Sequence, residues 1–254
     1  MTQSGLIKYS NQTRSSPHKM TAYAAIRRYG VVFLAFVFLV LPVWSFWDTY
    51  WFRESREYFA IEHVHAVPSL LWCVFITLQA YLIRTGRLAA HRQFGKVSYV
   101  LAPALVITTC AISWGSVTYS ELSDGSLYIL AIRAFLLSSF VAFFSLAMLN
   151  RKDPQLHARW MACSALVLID PVLNRITDNF TSLSYTTGIH QFIAFGVMNA
   201  MVLILLALDF RSGRRRVFAV ALVVMLAGQT LALTGWDSAA WRTFAESIPP
   251  FPFD

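Results

Sequence analysis

Charged residues are scarce in this chain, and their scarcity decides its class. Only 13% of the 254 residues are Asp, Glu, Lys or Arg, and 57% are hydrophobic. About 25% charged residues is usual in soluble domains. The composition therefore excludes an ordinary soluble domain and predicts a polytopic membrane protein whose partner is the lipid bilayer.

Several reactive groups and motifs are also missing. The four lysines lie in predicted tails and loops, so no lysine in a last span is available to bind retinal. The sequence has no GxSxG, GxxxxGK or HExxH motif, which argues against nucleotide hydrolysis and zincin proteolysis. The three cysteines fall inside predicted spans without a CxxC pair, so neither a disulfide framework nor a thiolate zinc site is expected.

Long apolar runs fill most of the chain. Runs of about 20 residues predict transmembrane helices, and seven are present, centred on 31–47, 61–83, 97–119, 127–149, 158–176, 189–208 and 217–234. We predict an all-α bundle of seven transmembrane helices in one domain (27–235). A polar tail (1–26) precedes it, and a Pro-rich tail (236–254), in which the helix does not continue, follows it.

The basic residues are distributed unevenly between the loops. They concentrate in the N-terminal tail and in the second–third, fourth–fifth and sixth–seventh connections. Lys and Arg in short loops stay on the cytoplasmic side, so the N-terminus is expected inside and the C-terminus outside, in the inner (cytoplasmic) membrane. Topology thereby explains the net charge of +8, and a nucleic-acid partner is not needed.

The fifth apolar run is unusual because it keeps ionisable groups, including Asp170 and Arg175. An ionised side chain near the bilayer centre costs about 2.5–3.5 kcal/mol, so such a residue is by default a functional candidate. Pro171 lacks the N–H that the Val167 carbonyl would accept in a helix, which predicts a kink beside Asp170.

A second intramembrane charge lies in the preceding span. Arg133 and Asp170 each lie about 9 Å inside the outer ends of neighbouring antiparallel spans, at 1.5 Å per residue. The equal depth predicts an ion pair or a shared hydrogen-bond network between them. The alternative is that Arg133, Asp170 and Arg175 only hold helices together.

Sorting the polar side chains by depth predicts two clusters. The inner pair is His91 and His157, and the outer cluster contains Glu62, His63, His65, Arg133, Asp170, Asn174, Arg175 and His190. Opposed imidazoles suit axial haem ligation, and two or three converging imidazoles suit copper, zinc or iron. We predict a metal site of His63, His65 and His190, or haem b bound by these histidines and the inner pair. The alternative for each histidine is a hydrogen-bonded interfacial side chain.

Two short motifs resemble a known family. His91-Arg92-x-x-Gly95 precedes one span, and His157-x-Arg159-Trp160-Met161 precedes a later span that ends near Arg175. This pairing is similar to that of an uncharacterised bacterial membrane-protein family, domain of unknown function 2306 (DUF2306). The resemblance covers spans two to seven. It implies a multi-span inner-membrane protein and assigns no reaction.

Three functional hypotheses follow, and none assigns a catalytic residue. The first is a redox-type protein that binds haem or a metal ion, with Arg133 and Asp170 tuning charge or passing protons. The second is a transporter or binding protein for a small or lipidic molecule, with an outward-facing pocket that uses the same Asp, Arg and His residues. The third is an accessory subunit of a larger membrane complex.

Overall fold

The computed structural model describes residues 30–52, 60–118, 122–180, 188–209 and 216–249. Within these ranges every regular element is a helix. Six segments are long and apolar enough to cross a membrane: Ala60–Arg84, Ser98–Val117, Asp124–Leu149, Pro154–Asp178, Ile189–Leu208 and Arg216–Gly235. The predicted all-α, multi-pass membrane architecture is therefore confirmed.

The first predicted span is shorter than the others. Helix α1, Gly30–Ser45, is apolar but shorter than the roughly 20 residues that a crossing needs. It contains a π-helical stretch at Phe36–Val40, and a second one follows at Trp47–Trp51. The predicted N-terminal tail (1–26) lies outside the described residues, as do the residues just before Gly30. A seventh crossing and the orientation of the termini stay predictions.

The other helices are numbered in chain order. They are α2 (Ala60–Arg84), α3 (Leu88–Gly95), α4 (Ser98–Thr118), α5 (Asp124–Leu149), α6 (Pro154–Val167), α7 (Asp170–Phe180), α8 (Ile189–Leu208), α9 (Arg216–Gly235) and α10 (Ala239–Glu246). We name the two ends of the bundle after the predicted orientation. The inner end carries the connections 85–97 and 150–153, and the outer end is where α5 begins and α7 ends.

Helix α5 is the centre of the bundle. It packs against α4, α6, α9 and α10, and its side chains Phe135, Phe140 and Phe143 are buried in the main core cluster. Helix α2 packs against α1, α3 and α4, while α7 packs against α1 and α8. Because lipid is as apolar as these side chains, the association depends on close van der Waals contact between helices.

The fifth predicted span is broken in the middle. Helix α6 ends at Val167, and α7 begins at Asp170 after a turn. Pro171 has no N–H to donate, and the N–H of Val172 bonds to the carbonyl of Ile169 (3.1 Å), one residue later than an α-helix requires. The predicted kink beside Asp170 is confirmed.

The prediction that the segment after α9 contains no helix is wrong, because this segment forms helix α10. Ser238 caps α10 by accepting a hydrogen bond from the N–H of Trp241 (3.3 Å). The indole of Trp241 donates to the Leu127 carbonyl (3.1 Å), and that of Trp114 donates to the Pro249 carbonyl (2.6 Å). Because the first proline comes only at Pro249, it does not oppose the helix, and these bonds dock the segment on the outer ends of α4 and α5.

Candidate functional site

The predicted ion pair between Arg133 and Asp170 is wrong. Nη1 of Arg133 donates to Oγ of Ser116 on α4 (2.7 Å). The Asp170 carboxylate accepts from Nε2 of Gln191 on α8 (2.6 Å) and from Nδ2 of Asn174 (3.0 Å). Counting residues along a helix gives the depth of a side chain in the membrane but not the direction in which it points. Here α5 directs its arginine toward α4, and α7 directs its aspartate toward α8.

Asp170 lies in a small cradle of amides. Its side chain is only 2% exposed, and Asn174 Nδ2 also contacts Oε1 of Gln191 (3.2 Å). The cradle therefore holds both carboxylate oxygens with neutral donors. Asn174 was predicted to belong to the polar network. Gln191 was missed, although its position beside His190 at the start of the sixth span was a signal.

Three basic side chains converge elsewhere in the outer half, and we call them the basic cluster: Arg133, Arg175 and His65. Arg133 lies close enough to both other residues for its charge to act on them. In the described part of the chain, no carboxylate forms an ion pair with Arg133 or Arg175. Among the described residues, the two arginines of the basic cluster therefore have no carboxylate counter-ion.

Neighbouring helices fix each member of the basic cluster. Arg133 is bound to Ser116, as described above, and the Arg175 guanidinium lies 5.4 Å from the centre of the Phe46 ring on its face. Nδ1 of His65 contacts Oγ1 of Thr108 on α4 (3.4 Å). Side chains from α2, α5 and α7 thus contact either α4 or Phe46, which follows the end of α1.

The outer histidines do not come together. Nδ1 of His63 bonds to the Tyr50 hydroxyl (2.8 Å), whereas His65 faces α4, and His190 is buried at the start of α8. Glu62 lies in the first turn of α2. No group of three or more His, Cys, Asp or Glu side chains among the described residues is placed to hold a metal ion. The proposed metal site of His63, His65 and His190 gains no support from this arrangement.

The inner histidines do come together. Partial burial and the nearby charges of His157 and Arg92 lower the pKa of His91. Nδ1 of His157 bonds to the carbonyl oxygen of Ala147 (2.9 Å). A carbonyl only accepts, so Nδ1 carries a proton, and in the neutral form of the ring the lone pair on Nε2 is left for a ligand. Haem ligation by this pair stays a prediction.

The other motif residues of the DUF2306 resemblance make packing contacts. Arg159 forms a two-point ion pair with Asp209 at the end of α8. The Trp160 ring stacks on Phe143 at 5.8 Å, and Met161 packs against the main core cluster. These contacts give Arg159, Trp160 and Met161 a structural role at the start of α6, and no catalytic role is needed to explain them.

No protein-family model matches the chain, and no curated protein or solved structure is significantly similar to it. The resemblance to DUF2306 therefore stays a prediction. Any functional conclusion rests on the geometry of the two polar regions described above, the basic cluster and the inner histidines.

Acidification is expected to destabilise the protein through His91. The fold lowers the pKa of this imidazole below the ordinary 6.5, so the unfolded chain binds the proton first and stability falls as the pH drops below 6.5. We expect His91→Gln to lose less melting temperature than the wild type between pH 7.5 and pH 5.5. The control is His63→Gln at the outer end. An unchanged pH response in His91→Gln would contradict the prediction.

Proposed function

We propose that the protein is an inner-membrane transporter or binding protein for a small anionic molecule, which it binds at the basic cluster from the outer side. The observation that carries the proposal is the pair of guanidinium groups, Arg133 and Arg175, which are near enough for their charges to interact and have no carboxylate partner among the described residues. An anion would supply the missing counter-charge.

The energetics support a ligand at this place. Holding one ionised side chain in the hydrocarbon costs about 2.5–3.5 kcal/mol, and a second like charge nearby adds repulsion. Arginine presents several N–H groups in a planar fork that fits a carboxylate or a phosphate. One nitrogen of Arg133 donates to Ser116. This bond orients the guanidinium group and leaves its other N–H donors for a ligand.

The position of the cluster favours access from the outer end. Arg175 lies five residues before the end of α7 at Phe180, and His65 lies five residues after the start of α2 at Ala60. Both distances correspond to about 7.5 Å along a helix. The Asp170 carboxylate is bound separately by its amide cradle, so it does not neutralise the arginines that the anion would contact.

The experiment is a melting curve of the purified protein in detergent with acetate, succinate, phosphate or sulfate at constant ionic strength. We expect at least one anion to stabilise the wild type, by up to about 2.7 kcal/mol at 100 times its dissociation constant. Arg133→Gln should weaken binding about 10–100-fold, because a charge-assisted hydrogen bond contributes roughly 1.5–3 kcal/mol. Without anion, this variant should be no less stable than the wild type, because it removes one of two neighbouring positive charges.

The matched control is Arg242→Gln. Arg242 also lies near the outer end, on α10, where its exposed side chain pairs with Asp124. It should retain the full response to the anion. The proposal fails if no anion stabilises the wild type or if Arg133→Gln responds as strongly as the wild type does.

A further inference from the structure

Four buried polar atoms have no hydrogen-bond partner within the described ranges: Nε1 of Trp72, midway along α2, and, nearer the inner end, both amide atoms of Gln79 and Nδ1 of His91. Trp72 is 1% exposed and Gln79 is 8% exposed. Most buried polar atoms in native proteins are bonded, and each exception calls for an explanation. A bound molecule that supplies the hydrogen-bond partners is such an explanation.

These side chains belong to one region. Trp72 and Gln79 are seven residues apart on α2, two turns of one helix face. Oε1 of Gln79 lies 4.0 Å from the position that a Cβ on Gly95 of α3 would occupy. His91 is one turn before Gly95 on the same helix, and His157 is close to His91. A larger side chain at Gly95 would therefore occupy the space beside the Gln79 amide.

The chemistry of the group selects a neutral ligand. Gln79 offers donors and an acceptor, Trp72 offers an indole N–H, and His91 offers a ring nitrogen. These groups match carbonyl and hydroxyl oxygens. Haem iron would engage the imidazoles of His91 and His157, but it would leave the Gln79 amide unbonded.

The surroundings add an apolar requirement. The Trp72 ring packs edge-on against the rings of Phe140 and Phe144, with distances between ring centroids of 5.3 and 5.6 Å. Polar atoms thus lie toward the inner end, and aromatic rings lie deeper in the bundle. A ligand that fits both carries a polar ring and an apolar tail.

We propose that Gln79 and His91 bind the headgroup of a membrane-dissolved compound of the quinone class. Its two ring oxygens lie on opposite sides, so that one can bond to Gln79 on α2 and the other to an inner histidine. This site is independent of the anion site, because it lies at the other end of the bundle and uses other residues.

The test titrates the purified protein with a decyl-substituted benzoquinone and follows tryptophan quenching and melting temperature. We expect saturable binding to the wild type, and none of decylbenzene, which has the tail without the oxygens. Gln79→Leu should bind at least about 10-fold more weakly while melting no lower than the wild type without ligand, because it removes the unbonded amide. Gln93→Leu is the matched control, an exposed glutamine on α3, and it should bind as the wild type does.

A second variant keeps the test decisive if Gln79→Leu does not fold. Gly95→Leu fills the same space from α3 and should also abolish binding. The proposal is overturned if the wild type does not bind the quinone or if both variants bind it normally. A haem absorption band in the purified protein that His157→Ala removes would also overturn it, because iron would then occupy the place of the quinone.

Discussion

Replacing Gly228 with alanine is expected to destabilise the protein by about 3 kcal/mol, at the upper end of the usual cost of overpacking. A Cβ at this position of α9 would lie 2.4 Å from Cδ2 and 2.5 Å from Cε2 of Phe135 on α5. Phe135 is itself buried and meets Phe195 of α8 edge-on at 5.6 Å. The Phe135 ring cannot move away from the added Cβ without displacing α8.

The matched control is Gly196→Ala on α8. No atom lies within 4 Å of the Cβ that this substitution adds, so it should be neutral or stabilise the protein by up to about 1 kcal/mol, as alanine does in a helix interior. Unfolding in a denaturing detergent measures both variants. Equal stabilities of Gly228→Ala and Gly196→Ala would contradict the close helix crossing at Gly228.

Replacing Asp209 with alanine is expected to cost about 2 kcal/mol. Nε and Nη2 of Arg159 bind the two oxygens of Asp209 at 2.7 and 2.5 Å, and this pair joins the start of α6 to the end of α8. Breaking a fully buried pair costs about 3–5 kcal/mol, because it leaves the other charge uncompensated. The figure is reduced here because the two side chains are 15% and 14% exposed.

The exposed pair at the opposite end of the bundle is the control. Nη2 of Arg242 lies 2.8 Å from Oδ1 of Asp124, but the two side chains are 41% and 73% exposed. Water screens such pairs, so Asp124→Ala should cost less than about 1 kcal/mol. Equal losses in Asp124→Ala and Asp209→Ala would mean that the Arg159–Asp209 pair does not fasten the helices.

Features that depend on local sequence were predictable. Apolar runs located the six long helices, because a helix in lipid needs about 20 apolar residues whatever its neighbours are. Pro171 located the break between α6 and α7, because a missing N–H has a local consequence. Asp170 and Asn174 are four residues apart in one helix, so their contact also follows from spacing alone.

Features that depend on the arrangement of helices were not predictable. Arg133 and Asp170 lie at similar depths, but the rotation of α5 and α7 about their own axes decides their partners, and that rotation comes from packing against α4 and α8. The sequence places Gln79 seven residues after Trp72, on the same face of one helix. Its lack of a hydrogen-bond partner depends on its neighbours in space, which the sequence does not specify.

The most direct test of the central claim is to locate the anion. Selenate has the shape and charge of sulfate and scatters anomalously, so crystals of the protein grown with selenate would mark a bound anion in an anomalous difference map. We expect a peak between the guanidinium groups of Arg133 and Arg175, and none there in crystals of Arg133→Gln. Wild-type crystals without a peak at this place, or with a protein carboxylate bridging the two arginines, would contradict the anion site.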